Sequence, residues 1–326
     1  MDDIKKVQID HKLQTGKGIT FKEFLEYTGA GAMCDEIINL KGSEALEAVK
    51  QNGFNLQYVK EQTPEICLAA VMEDGDALQY VREQTPEICM AAVKRSARAL
   101  QYVREQTPKI CLEAVKQDGD ALQYVREQTP EICLAAVRQV CVGAIDKEEL
   151  ILHFVRKQTP EICLEAVRRN GITLECVKEQ TPEICLEAVR QNGLALQFVR
   201  EQTPEICLEA VKRDGYALQY VEEQTPEICL EAVKNYGDAL CFVKEQTPEI
   251  CLAAVMEDGD ALRYVERQTP EICLAAVKEN SYVLPYVREQ TPEICIAAVK
   301  ESEDAIQYVD LSIFLPENSK GGIKDK

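Results

Sequence analysis

The hexapeptide QTPEIC starts at residues 62, 84, 128, 158, 180, 202, 224, 246, 268 and 290, and QTPKIC starts at 106. The step between copies is 22 residues throughout, except for one step of 30 between 128 and 158. A period of this length marks a supersecondary unit that cannot bury its apolar face alone and must stack on its neighbours. A weaker copy, EALEAVKQNGFNLQYV, occupies 44–59, so the array begins there and holds about twelve units.

Within one unit, Thr63 precedes Pro64, a position that disfavours helix and suits an N-cap hydroxyl. Proline fits the first helical position, and Glu65 complements the positive end of the helix dipole. Gly75 predicts the left-handed residue that ends this first helix. At about 100° per residue, Ile66, Cys67, Ala70 and Val71 share an apolar arc, with Leu68 at its edge. Position 69 alternates between Ala (Ala91, Ala135, Ala253) and Glu (Glu113, Glu165, Glu187), which predicts exposure. A second, short helix is predicted over 77–84. It turns Ala77, Leu78, Tyr80 and Val81 inward, Gln79, Arg82 and Glu83 outward, and sets Gln84 on the buried side. A buried amide needs partners, and the backbone at the turn into the next Thr-Pro is expected to supply them for Gln84. Neither helix is long enough to be stable alone. The expected fold is therefore an all-α solenoid of 22-residue helix-turn-helix repeats with a helical N-terminal cap.

The repeated cysteine falls inside the apolar arc, where a thiol serves as a small, adaptable hydrophobe. There are 15 cysteines, an odd number, and no 7 to 15-residue apolar signal core in MDDIKKVQIDHKLQTGKG. If equivalent helices sit about 8–10 Å apart, their cysteines are too distant for disulfides, which need Cα atoms about 4.4–6.8 Å apart. Reduced thiols in the cytoplasm are the expectation.

Departures from the repeat carry the remaining information. The 30-residue step inserts eight residues within 138–150, as an extended first helix or a protruding loop. The Gly75 position is Ala97, Ser281 and Glu303 elsewhere, and Pro285 and Cys176 replace the residues aligned with Gln79 and Tyr80. Most variable is the residue after the turn glycine: Phe54, Asp76, Arg98, Asp120, Ile172, Leu194, Tyr216, Asp238, Asp260 and Tyr282, continuing to Asp304. Asp can cap a helix, but Phe, Ile, Leu and Tyr cannot. Because one edge of a stack collects these positions, they form a candidate protein-recognition strip.

Little in the sequence suggests catalysis. The two histidines, His11 and His153, lack a Cys or carboxylate at ligand or triad spacing, and no nucleotide, zinc-protease or serine-hydrolase motif is present. TGAGA at 28–32 reads as a turn, and Cys241 is a thiol on an outward face. Neither a cofactor nor a metal is expected. A net charge of −19 disfavours nucleic acid and anionic membrane, and no apolar run of about 18 residues occurs. The organisation expected is a cap over 1–43 containing the amphipathic FKEFLEY and CDEIINL, an array over 44–309, and a C-terminal cap (LSIFLP) and tail over 310–326.

The unit resembles the helical repeat of a domain-of-unknown-function family abundant in giant viruses and amoeba-associated bacteria. Ala121, Leu122 and Tyr124 carry the match in the second helix; Glu187, Ala188, Val189, Gln191, Asn192 and Gly193 carry it in the first helix and the turn that follows it. The resemblance implies a protein acting in a host cell and supplies no activity. The reading is a non-enzymatic, monomeric scaffold that holds another protein. Its alternatives are a self-assembling structural component and an enzyme built around the insertion from Asp146, Glu148, Glu149 and His153.

Overall fold

The computed structural model describes residues 41–139 and 151–314, all in helices, turns and short connections, with no strand among them. The expected N-terminal cap before residue 41, the inserted residues 140–150 with Asp146, Glu148 and Glu149, the tail after 314, and His11 lie outside the described residues. The chain divides into two compact units. Residues 41–139 and Phe154–Arg156 form the first, and 151–153 with 157–314 the second. The division falls where the period breaks.

In each unit a ten-residue α-helix alternates with a shorter element. Pro64–Glu73 is followed by Gly75–Tyr80, and Pro182–Gln191 by Gly193–Phe198. Within each unit, successive α-helices pack on one another, from Gly42–Gln51 to Pro130–Gln139 and from Pro160–Arg169 to Pro292–Glu301, and so do the short elements that follow them, which is the all-α solenoid the repeat predicts. The N-terminus forms as expected: the Thr63 hydroxyl accepts from the Ile66 amide at 3.4 Å, and Pro64 opens the helix. Ile66, Cys67, Ala70 and Val71 are at most 3% exposed, and Ala77, Leu78 and Val81 are fully buried. Each fully buried Leu or Ile stabilises the stack by about 1.5–3 kcal/mol.

Four expectations are corrected. The second helix is a 3-10 helix, Gly75–Tyr80, that ends before Arg82. With three residues per turn, Leu78 and the C-cap residue Val81 come onto one side, so the element and its cap bury two large side chains within seven residues.

The turn glycines are not left-handed; among described residues only Gly42 has positive φ, at 54°. They are required because the next repeat comes so close. A Cβ on Gly193 would lie 2.6 Å from the Ala210 carbonyl oxygen and 2.8 Å from the Asp214 Cβ. Ala97 holds the equivalent place at 6% exposure, so that layer must give slightly.

Capping of the second helix, finally, belongs to the residue before the glycine. Asp74 Oδ1 accepts from the Asp76 amide at 2.9 Å, and Asn192 Oδ1 from the Leu194 amide at 3.0 Å. The strip residue therefore has no capping duty, which is why Asp and Leu interchange there. Position 69 is also half-buried rather than exposed: Glu187 takes Arg168 at 3.1 Å and Glu209 takes Arg190 at 2.9 Å. No described helix is long and apolar enough to cross a membrane.

Residues 154–156 keep the repeat's usual bonds to the preceding glutamine. Gln62 donates to Tyr80 O across 18 residues; Gln128 donates to Phe154 O across 26, at 2.7 Å. The Arg156 amide likewise reaches Gln128 Oε1 across 28 residues, where Arg82 reaches Gln62 across 20. At the far end, the described part of the expected C-terminal cap, Leu311–Phe314, buries nothing; Leu311 is 69% exposed and Phe314 50%.

Candidate functional site

Each repeat is joined to the next by the glutamine of its QTP motif. Gln180 Nε2 donates to Leu174 O at 3.4 Å and to Phe198 O of the following repeat at 2.8 Å. Its Oε1 accepts from the Arg200 amide at 3.0 Å and from the Cys185 thiol at 3.7 Å. One amide thus fills all its bonding directions, two of them across the repeat boundary. The expected partners of this glutamine extend further than its own turn. The cysteine, besides filling core space, donates a weak hydrogen bond to the same oxygen.

Burial raises the pKa of all eleven motif thiols. Cys207, with the carboxylate of Glu222 nearby, is pushed up to about 11. Such thiols are protonated and inert at neutral pH.

A second tie was not legible in the sequence, where Arg82 read as part of a solvated face. Arg82 Nη1 donates to Lys60 O at 2.6 Å, Arg104 to Arg82 O at 2.7 Å, and Arg126 to Arg104 O at 2.7 Å. Arg200 does the same to Lys178 O at 2.7 Å in the second unit. Between these arginines and the Thr-Pro corners lie shallow clefts at equivalent places. One of about 220 Å³ is lined by Gln180, Pro182, Cys185, Arg200 and Glu201; another of about 280 Å³ by Gln62, Pro64, Cys67, Arg82 and Glu83. Their arginines, Arg82 and Arg200, are engaged with backbone carbonyls, and their thiols, Cys67 and Cys185, are buried.

The strip is brought to one turn edge of each repeat, but it is uneven. Arg98, Tyr216 and Tyr282 are exposed; Phe54, Asp76, Asp120, Ile172, Leu194, Asp238 and Asp260 are half-buried. Phe54 packs edge-on against Tyr80 of the next repeat, with centroids 6.1 Å apart. Burial, then the charge of Asp74, raises the Asp76 pKa, and Asp260 Oδ2 accepts from Asn280 at 3.1 Å. Several strip residues are thus packing elements of the repeat boundary.

Around Tyr216 the edge differs. Tyr236 occupies the capping position that Asp or Asn holds in most repeats, and its side chain makes no cap. Its ring instead stacks on Tyr216, centroids 5.1 Å apart at 16°, while Tyr216 meets Phe242 edge-on at 6.2 Å. Both tyrosines stay substantially in solvent, 37% exposed for Tyr216 and 47% for Tyr236, and Tyr282 is 51% exposed. Tyr236 was not among the strip residues, although an aromatic at a capping position was visible in the sequence.

His153 also departs from expectation. Its Nε2 lies 3.3 Å from the Sγ of Cys176. The residue aligned with Gln79 in one repeat meets the residue aligned with Tyr80 in the next, a geometry repeated where Arg263 lies 5.2 Å over the Tyr286 ring. Among the described residues, no group of three His, Cys, Asp or Glu side chains is placed to hold a metal ion.

Comparison with curated proteins and with solved structures gave no match. A family model does match: the domain of unknown function DUF4116, over residues 45–85, 85–129, 159–203, 181–225, 203–246 and 247–291. These segments span well over half of the chain and follow the helical repeat described above, so the chain belongs to the DUF4116 repeat family.

Proposed function

We propose that the array is a non-enzymatic scaffold that holds a protein partner in the cytoplasm of a host cell, through the turn edge carrying Tyr216, Tyr236 and Tyr282. The observation that supports this reading most is the stacked pair Tyr216 and Tyr236, exposed where neighbouring repeats carry polar caps. Exposed tyrosines supply large, rigid, amphipathic contact area and are enriched at the centres of protein interfaces. A net charge of −19 favours a basic protein surface over nucleic acid or anionic lipid.

The test is quantitative affinity capture from host lysate with the natural chain and a Tyr216→Ser, Tyr236→Asn, Tyr282→Asp variant of equal helicity. Phe54 and Leu194 are left intact because they are half-buried, and changing them would confound binding with folding. A partner held by the natural chain and lost by the variant supports the reading. Equal capture by both refutes the assignment to this edge.

A second reading, self-assembly, is favoured by the last repeat. Ile306 aligns with the fully buried Leu78 yet is 62% exposed, beside Ile296 at 50%. Light scattering against concentration, with Ile306→Lys as the control, decides between monomer and assembly.

A further inference from the structure

We propose that Cys176, with His153 as its proton acceptor, is a thiol modification site that forms a mixed disulfide with small disulfide-bearing molecules. Three observations carry this. The first is the contact itself: 3.3 Å between Sγ and an imidazole nitrogen is hydrogen-bond distance for a thiol, and it sets a general base within reach of the nucleophile, the arrangement by which a thiol is activated.

The second is access. His153 is exposed and Cys176 half-buried, and Cys176 stands where other layers place a Tyr or Phe ring, such as Tyr80, Phe198 or Phe242. The cysteine side chain is much shorter than the ring it replaces, and in contrast to the motif cysteines it is not fully buried.

The third is contrast. The eleven motif thiols are at most 4% exposed and directed at the inner side of a glutamine oxygen, as Cys185 is at Gln180. Cys241 is exposed, but burial of its sulfur and the charge of Asp238 hold its proton on. The pairing follows from the architecture. Positions 79 and 80 of successive repeats also meet where Arg263 lies over Tyr286, and this boundary places His on one side and Cys on the other.

The step balances with the disulfide as the only co-reactant. His153 Nε2 takes the Sγ proton, and the thiolate attacks one sulfur of R–S–S–R. The S–S bond breaks as the Cys176–S–S–R bond forms, and the departing thiolate takes the proton back from the imidazolium as R–SH. Cys176 is oxidised, one sulfur of the reagent is reduced, and excess thiol reverses the reaction.

The experiment treats the folded, reduced chain with cystamine, a cationic small disulfide suited to a chain of net charge −19, and follows each cysteine-containing peptide by mass spectrometry over time. Among the 13 cysteines of the described residues, Cys176 is expected to be modified first. His153→Gln, which restores the residue found at the aligned positions Gln79 and Gln123 and so keeps the fold, should slow Cys176 by about tenfold or more through its smaller thiolate fraction, and leave Cys241 unchanged. Modification of Cys241 or the motif cysteines at the same rate as Cys176 would overturn the proposal. So would an unchanged Cys176 rate in His153→Gln.

Discussion

Replacing Gln180 with Leu removes the joint between two repeats while keeping most of the side-chain volume. Four contacts are lost, but they are unequal. The bond to Phe198 O at 2.8 Å and that from the Arg200 amide at 3.0 Å are well formed, whereas those to Leu174 O at 3.4 Å and from Cys185 at 3.7 Å are weak. At about 1 kcal/mol for each good bond, plus a share of the cost of leaving the half-buried Phe198 oxygen without a partner, the expected loss is about 2–3 kcal/mol. Urea unfolding followed by circular dichroism reads the total. Because a solenoid can open layer by layer, native-state hydrogen exchange gives the location. The Arg200 amide should lose protection, since Gln180 is its acceptor, whereas the amides of the Pro270–Glu279 helix should not. A loss below about 0.5 kcal/mol with the Arg200 amide still protected would show that water replaces the glutamine at little cost, and that apolar burial alone joins the repeats.

Other expectations follow from the same geometry. Gly193→Ala sets a Cβ 2.6 Å from the Ala210 carbonyl and should cost about 1–3 kcal/mol in thermal unfolding, the usual range for overpacking; the natural Ala97 shows that such a layer can shift. Tyr236→Asn exchanges an aromatic stack worth about 0.5–1.5 kcal/mol for a cap worth about as much, so the melting temperature should stay nearly unchanged while partner capture is lost. Stability should fall on the alkaline side. A thiol such as Cys207 keeps its proton to about pH 11 when folded, against an ordinary value of 9.0. Its contribution is complete below the unfolded value and disappears as pH rises through the folded one, so unfolding free energy should decline from about pH 9 upward, less steeply in Cys207→Ala. Arg200→Met, which takes a guanidinium from Lys178 O and Val177 O, should lower stability by about 0.5–1.5 kcal/mol when measured by urea unfolding.

The first helix of each repeat was legible because its determinants are local: Thr63, Pro64 and the arc Ile66, Cys67, Ala70, Val71 fix start, direction and buried face within ten residues. The second element was misread as a regular helix because a six-residue segment carries too few turns for its period to be told from a 3-10 helix. The turn glycine was recognised but its reason was not, since the atom it must avoid, the Ala210 oxygen in the case of Gly193, belongs to the following repeat. The same limit hid the Arg82 tie to Lys60 O and the approach of His153 to Cys176, each separated by about one repeat in sequence. The strip positions follow from the repeat register, but that Phe54 and Leu194 are half-buried while Tyr216 and Tyr282 are exposed depends on what neighbouring repeats place against them, which the local sequence does not show. Tyr236 escaped because attention rested on the residue after the glycine and not two before it.

The bonds donated by Gln128 to Phe154 O and by Arg156 to Gln128 Oε1 and Arg126 O span eight more residues than their counterparts and are otherwise unchanged. They join residues on either side of the longer connection at the corner between the first helix and the second element. That corner is therefore a splice point: sequence can be added there with the bonding frame of the array preserved, whereas an addition inside a QTP corner would break the frame at once. Each of the other corners, such as the one at Asn192 and Gly193, has the same construction. The chain can thus display a chosen peptide at a chosen layer, and its length can change by whole repeats because each cross-repeat bond reaches only as far as the adjoining one.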